Sequence, residues 1–342
     1  MTNSKRKKLK ILFRTAGGQA NGTELGTGHL FRCINLGQNL LKHEIHFLIN
    51  DYHDAKKLIT SNGFKQITVL KNNLQLQHDI DFTKKYVVEN KIDLVIVDKF
   101  KTTIKYLRAI NKITKVIYIS DIWKIDYPVD LVVNGFIGFS NSVRTNRYGS
   151  KCLLGPNFQI LNKKFCTCIS RKRKQFDVLV TFGGYDEHHI VEKFCESFVN
   201  IKGDLRARII LGPSTKPTKN ITTFKKNYPQ KLSISKTTNS MYDEISNSKL
   251  GLCAGGITSY EFASFNLPFA IICQHKHQLE TSRMWEKKKL AKNFGLPKKS
   301  TSNQIHDFIT SNKLKKSTSK SSIIDGNGVR RIEQEITKMF NH

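Results

Sequence analysis

The sequence lacks the marks of a membrane or exported protein. Across its 342 residues, no apolar run approaches the ~18 residues that a membrane-spanning helix needs, so an integral membrane protein is not expected. The basic N-terminal segment, residues 1–13, has no apolar stretch long enough for the core of a signal peptide. We therefore expect a cytoplasmic protein.

Cysteine pairs at metal-ligand spacing are also lacking. The seven cysteines are odd in number and mostly lie inside apolar stretches, which predicts reduced thiols in the core. Cys166 and Cys168 have no second pair at zinc spacing. Cys273, His275 and His277 alternate on a predicted loop without an obvious fourth ligand. We predict neither a metal nor a cofactor.

Acidic residues are scarce relative to basic ones. The chain has 57 Lys and Arg against 27 Asp and Glu, a formal net charge of +30. The lysines are dispersed, and the densest clusters, residues 5–10 and 171–174, accompany no recognised nucleic-acid motif. A solvated lysine-rich surface and attraction to anionic substrates or an anionic membrane surface both remain open. We expect no specific nucleic-acid partner.

What is present is an alternation of short apolar runs with helical patterns. Residues 92–98 form a continuous apolar run ending in a carboxylate, as in a buried parallel strand, and residues 116–121 repeat that form. The pattern fades through residues 140–174 and restarts at Phe176. We predict two doubly wound, Rossmann-like α/β domains that face each other across a cleft.

The composition shifts suggest where these domains end. We expect an N-terminal domain over residues 1–160 and a basic linker over 161–175. A C-terminal domain then covers residues 176–312. The last segment, residues 313–342, is predicted to be a helical tail that packs back on the N-terminal domain.

A glycine-rich turn at residues 26–33 carries the first candidate chemistry. It lies between a predicted strand and a helix, where exposed backbone N–H groups bind anions. His29, directly after Gly28 and near Arg32, can take or give a proton near neutral pH. The turn therefore predicts phosphate binding beside a catalytic base. A purely structural His29 is the alternative.

A second glycine turn follows a later apolar strand. Gly255 and Gly256 permit close approach of a ligand to the backbone, and Thr258 and Ser259 can cap the next helix or bind a phosphate oxygen. Glu261 is placed either to complete a capping box with Thr258 or to accept hydrogen bonds from a ribose diol. Spacing alone does not separate these two roles.

The order of these motifs resembles that of the PseG/SpsG-like nucleotide-sugar proteins. This family is typified by the UDP-sugar hydrolase of the pseudaminic acid pathway and is related to MurG-type glycosyltransferases of the GT-B fold. The resemblance covers nearly the whole chain. The similar segments are residues 26–33, 94–98, 154–156 with Phe165, 181–184, 254–261 and 325–332.

The resemblance implies a division of labour between the domains. It implies that the C-terminal domain binds UDP, with Glu261 on the ribose, and that the N-terminal domain supplies His29 as the base. That base activates water, or an acceptor hydroxyl, against the anomeric carbon of the sugar. The implied residues at the substrate and diphosphate are Gly26, Gly28, Arg32, Gly183, Gly184, Gly255, Gly256, Thr258, Ser259, His277 and Gln278.

The reaction implied is cleavage of a UDP-activated sugar by inversion, with hydrolysis and glycosyl transfer as alternatives. A nucleoside diphosphate is a good leaving group, so a single base can suffice. Two departures leave the sugar and the outcome open. Residues 14–24 form a longer loop than is usual in the family, and His277 replaces an asparagine before Gln278. A non-enzymatic protein that binds nucleotides or nucleic acid is a further alternative.

Overall fold

A computed structural model describes residues 8–20, 23–24, 26–52, 54–167, 174–299, 301–311 and 323–341. Cys168, half of the basic cluster at residues 5–10, most of the cluster at 171–174, and parts of the predicted linker and tail lie outside these residues. The chain divides into two compact units. Unit 1 comprises Met1–Lys163 with Asn327–His342, and unit 2 comprises Lys164–Gly326.

Unit 1 contains an eight-stranded sheet with the order β5-β4-β1-β6-β7-β8-β10-β9. All neighbouring strands are parallel except β9, which runs antiparallel to β10. A separate short ladder joins β2 and β3. The strands are β1 (Lys10–Thr15), β2 (Gln19–Ala20), β3 (Thr23–Glu24), β4 (Glu44–Asn50), β5 (Gln66–Leu70), β6 (Leu94–Asp98), β7 (Lys115–Ile119), β8 (Leu131–Asn134), β9 (Ser142–Thr145) and β10 (Lys151–Leu154).

Helices connect the strands of unit 1 and cover both faces of its sheet. The first four are α1 (Gly28–Asn39), α2 (Ala55–Ser61), α3 (Leu76–Glu89) and α4 (Ile104–Asn111). Helix α1 buries Leu30, Cys33 and Ile34 on one side, at the spacing of an amphipathic helix. All five residues of β6 are buried, as the continuous apolar run predicts.

Unit 2 contains a six-stranded, wholly parallel sheet with the order β13-β12-β11-β14-β15-β16. Its elements alternate regularly. They are β11 (Phe176–Thr181), α5 (Ile190–Val199), β12 (Ala207–Ile210), α6 (Lys219–Asn227), β13 (Leu232–Ser235), α7 (Met241–Ser246), β14 (Ser248–Cys253), α8 (Ile257–Ser264), β15 (Phe269–Ile271), α9 (Gln278–Lys287), β16 (Ala291–Asn293) and α10 (Thr301–Ser311).

The last helix, α11 (Gly328–Phe340), belongs to unit 1. Its apolar stripe of Val329, Ile332 and Ile336 is buried in the same core cluster as α1 and β1. On its polar side, Glu333 pairs with Lys42 at 2.5 Å. Within the described residues, neither α11 nor any other helix is long and apolar enough to cross a membrane.

The structure confirms the predicted class, two doubly wound parallel α/β sheets. In each main sheet, the strand that comes first in the chain lies between the second and the fourth strands of that sheet, so the strand order reverses beside it. In unit 1 the reversal lies between the neighbouring strands β1 and β6, and in unit 2 it lies between β11 and β14. Ligands of such sheets bind outside the carboxyl ends of the strands at that point.

Two strands lie where the strand pattern of the sequence fades. Strands β9 and β10 fall inside residues 140–174. Every residue of β9 is exposed at the edge of the sheet, so apolar alternation is absent from its sequence. Strand β10 has only four residues, too few for a clear period.

A buried cluster of charged side chains lies at the carboxyl end of β1 in unit 1. Arg14 is fully buried and its Nη2 donates to Asp79 Oδ1 of α3 at 2.7 Å. Lys99, directly after β6, also contacts the Asp79 carboxylate. The cluster therefore joins α3 to the carboxyl ends of β1 and β6, where the strand order reverses.

Candidate active site

In unit 1, the connection from β1 to α1 forms the first part of the candidate site. The loop closes on itself where Gly18 N donates to Gly26 O at 2.9 Å. Helix α1 then begins at Gly28, and Thr27 at its N-cap makes no side-chain capping hydrogen bond. The first turn of α1 therefore presents backbone N–H groups that Thr27 does not satisfy.

His29, in that first turn, is held by an aspartate from the neighbouring strand. Its Nδ1 lies 2.6 Å from Asp98 Oδ1, and Asp98 is fully buried at the end of β6. With its proton on Nδ1, the ring donates to this carboxylate and keeps Nε2 as its proton acceptor. The His29 side chain is 15% exposed, which leaves it within reach of a small reactant.

Arg32, one turn further along α1, fixes the same carboxylate. Its Nε donates to Asp98 Oδ2 at 2.8 Å and its Nη2 to Asp98 Oδ1 at 2.6 Å, a bidentate pair. Its Nη1 donates to Asp121 Oδ1 at 2.6 Å, beyond the end of β7. One guanidinium thereby joins α1 to the carboxyl ends of the neighbouring strands β6 and β7.

The guanidinium of Arg32 keeps its charge although it is buried. Burial opposes the charge of Arg32, but Asp121 and Asp98 outweigh that penalty and raise the pKa of Arg32 well above its ordinary value. Arg32 therefore stays charged beside the two carboxyl groups.

In unit 2, the connection from β14 to α8 forms the corresponding edge. A Cβ atom at Gly255 would lie 2.9 Å from Gln278 Cβ and 3.0 Å from its carbonyl oxygen, so the close approach of these loops requires glycine. Gly256 is the N-cap of α8 and provides no side chain to cap it. The first turn of α8 thus also presents backbone N–H groups.

Ser259 and Thr258 occupy different environments in α8. Ser259 is fully buried, where its Oγ donates to Gly256 O at 2.7 Å and accepts from Trp285 Nε1 at 3.0 Å. Its hydroxyl is thus engaged inside unit 2. Thr258 is half-buried and remains nearer the surface of the helix start.

Glu261 is a buried carboxyl whose partner is a hydroxyl rather than a cation. It is 9% exposed in the second turn of α8. Burial raises the pKa of Glu261 to about 7, although a hydrogen bond from Thr258 acts in the opposite direction. A capping box with Thr258 does not form, because the N-cap of α8 is Gly256 and Thr258 lies inside the helix.

Asp186 connects three loops of the same edge in unit 2. Its carboxylate accepts from Ile190 N at 3.0 Å and Val191 N at 2.8 Å, which caps α5. It also accepts from Gln274 Nε2 at 3.0 Å, after β15. Its own N–H donates to Thr215 Oγ1 at 3.2 Å, after β12. The glycine turn after β11 is therefore fixed relative to its neighbours.

The remaining predicted residues lie on these fixed loops. Gly184 O accepts from Ser214 N at 3.0 Å, and Gly183 has a φ of 85°. Gln278, the first residue of α9, accepts through Oε1 from Gln274 N at 2.8 Å. His277 occupies the N-cap position and its ring stacks on that of His275, with 5.4 Å between centroids.

The structure thus gathers the predicted residues into two groups, one in each unit. Gly26, Gly28, His29 and Arg32 lie at the edge of the unit 1 sheet. The residues predicted from the second half lie at the edge of the unit 2 sheet. In the part of the chain that the structure describes, no group of three or more His, Cys, Asp or Glu residues is arranged to hold a metal ion.

Sequence reasoning did not assign a role to Asp98, Asp121 or Asp186. The signal for the first two was present, since each carboxylate follows an apolar run that reads as a strand. Their convergence on Arg32 depends on the pairing of β1 with β6 and of β6 with β7. For Asp186, position between a glycine turn and a helix was the available signal.

Comparison with known proteins supports the resemblance carried by the motifs, although no protein-family model matches the chain. It is 24% identical over 335 residues to SpsG of Bacillus subtilis, a spore coat polysaccharide biosynthesis protein, covering 93% of this chain and 96% of SpsG. It is 26% identical over 295 residues to an uncharacterized protein of Methanocaldococcus jannaschii. That match covers 80% of this chain but spans only 57% of the archaeal protein.

Solved structures confirm the fold. MurG from Acinetobacter baumannii matches with a TM-score of 0.65 and 14% identity, over 96% of this chain and 100% of MurG. MnaA from S. aureus, solved with UDP, matches with a TM-score of 0.65 and 12% identity, over 97% of both chains. The two sheets described above are thus the two Rossmann-like domains of a GT-B fold.

Proposed function

Because the chain has the GT-B fold and is similar to SpsG along almost its whole length, we propose that it is a nucleotide-sugar enzyme. The reaction is cleavage of the anomeric C–O bond of a UDP-activated amino or deoxy sugar, with water as the nucleophile. UDP and the free sugar are the products. The proposed setting is biosynthesis of a surface glycan of the nonulosonic acid type, in line with the polysaccharide role in the name of SpsG.

The observation that carries this proposal is the contact of His29 Nδ1 with Asp98 Oδ1 at 2.6 Å. It orients the ring and leaves Nε2 to accept a proton from water. The resulting hydroxide attacks the anomeric carbon as the bond to the UDP oxygen breaks. The electron pair of that bond leaves with UDP, and the anomeric centre is inverted.

The leaving group needs charge stabilisation rather than a proton. A diphosphate that gains negative charge in the transition state is stabilised by backbone N–H groups at helix starts. We assign this role to the starts of α1 and α8, with the turns at Gly26, Gly28, Gly183 and Gly184 and the excess of basic residues in the chain adding to it.

We assign nucleotide binding to unit 2. Glu261 accepts hydrogen bonds from the ribose diol, which requires its ionised form or a shared proton at its pKa of about 7. The backbone at Gly255 and Gly256, the hydroxyl of Thr258, and the side chains of His277 and Gln278 contact the diphosphate. Ser259 supports this loop from inside, since its hydroxyl is engaged by Trp285.

The test is UDP release from a panel of UDP-sugars by the full-length protein without any acceptor. Stoichiometric UDP and free sugar are expected, with the initial product in the inverted configuration. UDP release that starts only after an acceptor alcohol is added assigns glycosyl transfer instead. No release under either condition, from any UDP-sugar, contradicts the proposal.

His29→Ala is expected to abolish turnover and leave the affinity for UDP nearly unchanged, measured by calorimetry. His78→Ala is the matched control, because His78 is an exposed histidine of α3 in the same unit. Turnover that survives in His29→Ala overturns the assignment of the base.

A further inference from the structure

Three aromatic side chains form a cluster after β7 and β8 in unit 1. The ring of Trp123 meets Phe136 at 4.9 Å and 85°, and Phe139 at 5.1 Å and 78°. Phe136 and Phe139 meet at 6.0 Å and 88°. These edge-to-face contacts hold the indole from two sides. Trp123 nevertheless remains 47% exposed, whereas Phe136 is buried.

The aromatic cluster packs against the backbone of Gly138, where there is no space for a side chain. A Cβ atom at Gly138 would lie 2.2 Å from the Phe136 ring and 2.7 Å from the Trp123 ring. Any larger residue at position 138 would displace both rings. The aromatic cluster therefore depends on a glycine at this point of the chain.

The loop that carries Trp123 is strained and held in place. Ile122 has a φ of 54°, a left-handed conformation that a β-branched residue rarely adopts. Asn134, fully buried at the end of β8, donates from Nδ2 to Ile122 O at 2.8 Å and to Lys124 O at 3.2 Å. Strain of this kind persists where the surroundings fix the backbone, and it is found most often at binding sites.

The same loop is joined to the candidate active site. Asp121, two residues before Trp123, accepts from Arg32 Nη1 at 2.6 Å. Arg32 Nη2 lies 2.8 Å from His29 Nδ1. Because two residues span at most ~7 Å of chain, the Cα atom of Trp123 lies within ~7 Å of that of Asp121, whose carboxylate contacts Arg32.

From this placement, we propose that the exposed part of the Trp123 indole is the sugar-binding surface of unit 1 and packs against the C–H face of the pyranose ring. This inference rests on the proposed function, in which His29 reaches a nucleophile at the anomeric carbon. The group nearest His29 is then the sugar, since the uracil is separated from that carbon by the diphosphate and the ribose. An indole offers a flat apolar surface to such a ring.

Binding to variants that cannot turn over tests the inference. In His29→Ala, the affinities for UDP and for a UDP-sugar are compared by calorimetry. The ligand is the UDP-sugar that the wild type cleaves, or UDP-N-acetylglucosamine if none is cleaved. We expect the added Trp123→Ala substitution to weaken UDP-sugar binding about tenfold and to leave UDP binding unchanged. The fluorescence of Trp123 is expected to change with the UDP-sugar but not with UDP.

Two control variants separate stacking from folding. Trp123→Phe retains an aromatic ring and is expected to restore most of the lost UDP-sugar affinity. Phe82→Ala removes another exposed aromatic residue of unit 1, which is 48% exposed on α3, and is expected to change neither affinity. Thermal melts of each variant show whether the fold is retained.

The outcomes distinguish this inference from the proposed function. Equal loss of UDP and UDP-sugar affinity in the Trp123 variant assigns the indole to uracil and overturns the inference, as does unchanged affinity for both. Turnover by the wild type with an unaltered KM in Trp123→Ala likewise leaves the function standing and removes the inference. Trp123-dependent sugar binding without turnover leaves the inference standing and removes the function.

Discussion

The first six strands of the main sheet have the same order in the two units, but the units bring different side chains to the edge where that order reverses. In unit 1, His29 and Arg32 from α1 converge on Asp98 from β6, so charged side chains are paired there. In unit 2, glycine turns and the start of α8 present backbone N–H groups, and the buried carboxyl groups there are Asp186, which accepts from backbone and amide N–H groups, and Glu261. A shared scaffold thus carries paired charged side chains in one unit and exposed backbone N–H groups at a helix start in the other.

The buried carboxyl groups show what this difference consists of. Asp98 accepts two hydrogen bonds from the Arg32 guanidinium, which balances its charge at full burial. Glu261 has the hydroxyl of Thr258 as its partner, and burial raises the pKa of Glu261 to about 7. In unit 1 the buried carboxyl is paired with a guanidinium that stays charged, whereas the charge of Glu261 in unit 2 changes near neutral pH.

The largest expected effect comes from replacing the buried carboxyl of unit 1 that contacts both His29 and Arg32. Asp98→Asn keeps the shape of the side chain, but an amide that donates to Nδ1 moves the ring proton to Nε2 and removes the base. We expect kcat for UDP release to fall by about 10²–10⁴-fold, with little change in UDP affinity.

Asp126→Asn is the control for that variant. Asp126 is a half-buried aspartate of unit 1 in a longer pair with Arg147, at 3.8 Å, so its loss is expected to change kcat little. If Asp98→Asn retains kcat within about threefold of wild type, Asp98 does not orient a catalytic base, and the difference between the two units has no part in catalysis.

The sequence predicted the fold class because both halves contain continuous apolar runs followed by glycine turns. It also predicted that His29 and Arg32 lie together, since positions three apart on a helix share a face. It did not assign Asp98 to them. That contact depends on the register of β1 with β6, in which Thr15 pairs with Asp98, a relation between residues far apart in the chain.

Other features depended on tertiary context in the same way. The exposed strand β9 has no apolar period to reveal it. Whether Glu261 completes a capping box with Thr258 depended on which residue begins α8, a boundary that spacing alone left open. The strain at Ile122 follows from the hydrogen bonds of Asn134 and has no sequence signature of its own.

A smaller effect is expected from the titrating carboxyl of unit 2. Because the pKa of Glu261 is about 7 in the folded protein and about 4.3 in an unfolded chain, the folded state retains a proton that the unfolded state releases between those values. Its contribution to stability is therefore present at low pH and falls by up to about 3 kcal/mol as the pH rises from about 4.5 to about 7.

Glu261→Gln removes this dependence. Relative to wild type, the variant is expected to gain stability between pH 5 and pH 8, measured as free energies of unfolding from guanidinium titrations. Its UDP affinity at pH 8 is expected to fall about tenfold, because a carboxylate that accepts from the ribose is lost. Glu196→Gln, at an exposed position of α5, is the control. Parallel pH profiles for wild type and Glu261→Gln would show that Glu261 is an ordinary carboxyl.

The smallest expected effect concerns the connection between the loops of unit 2. Asp186→Ala removes the cap of α5 and the hydrogen bond to Gln274, which we expect to cost about 1–2 kcal/mol of stability and a few-fold in UDP affinity. Asp186→Asn retains an acceptor for the α5 N–H groups and is expected to recover most of the stability. Neither variant should change kcat at saturating substrate. Unlike Asp98, Asp186 fixes the positions of the loops around α5 and Gln274 and takes no part in proton transfer. A fall in kcat comparable to that of Asp98→Asn would contradict the proposal that the edge of unit 1 carries the catalytic base and the edge of unit 2 only binds the nucleotide.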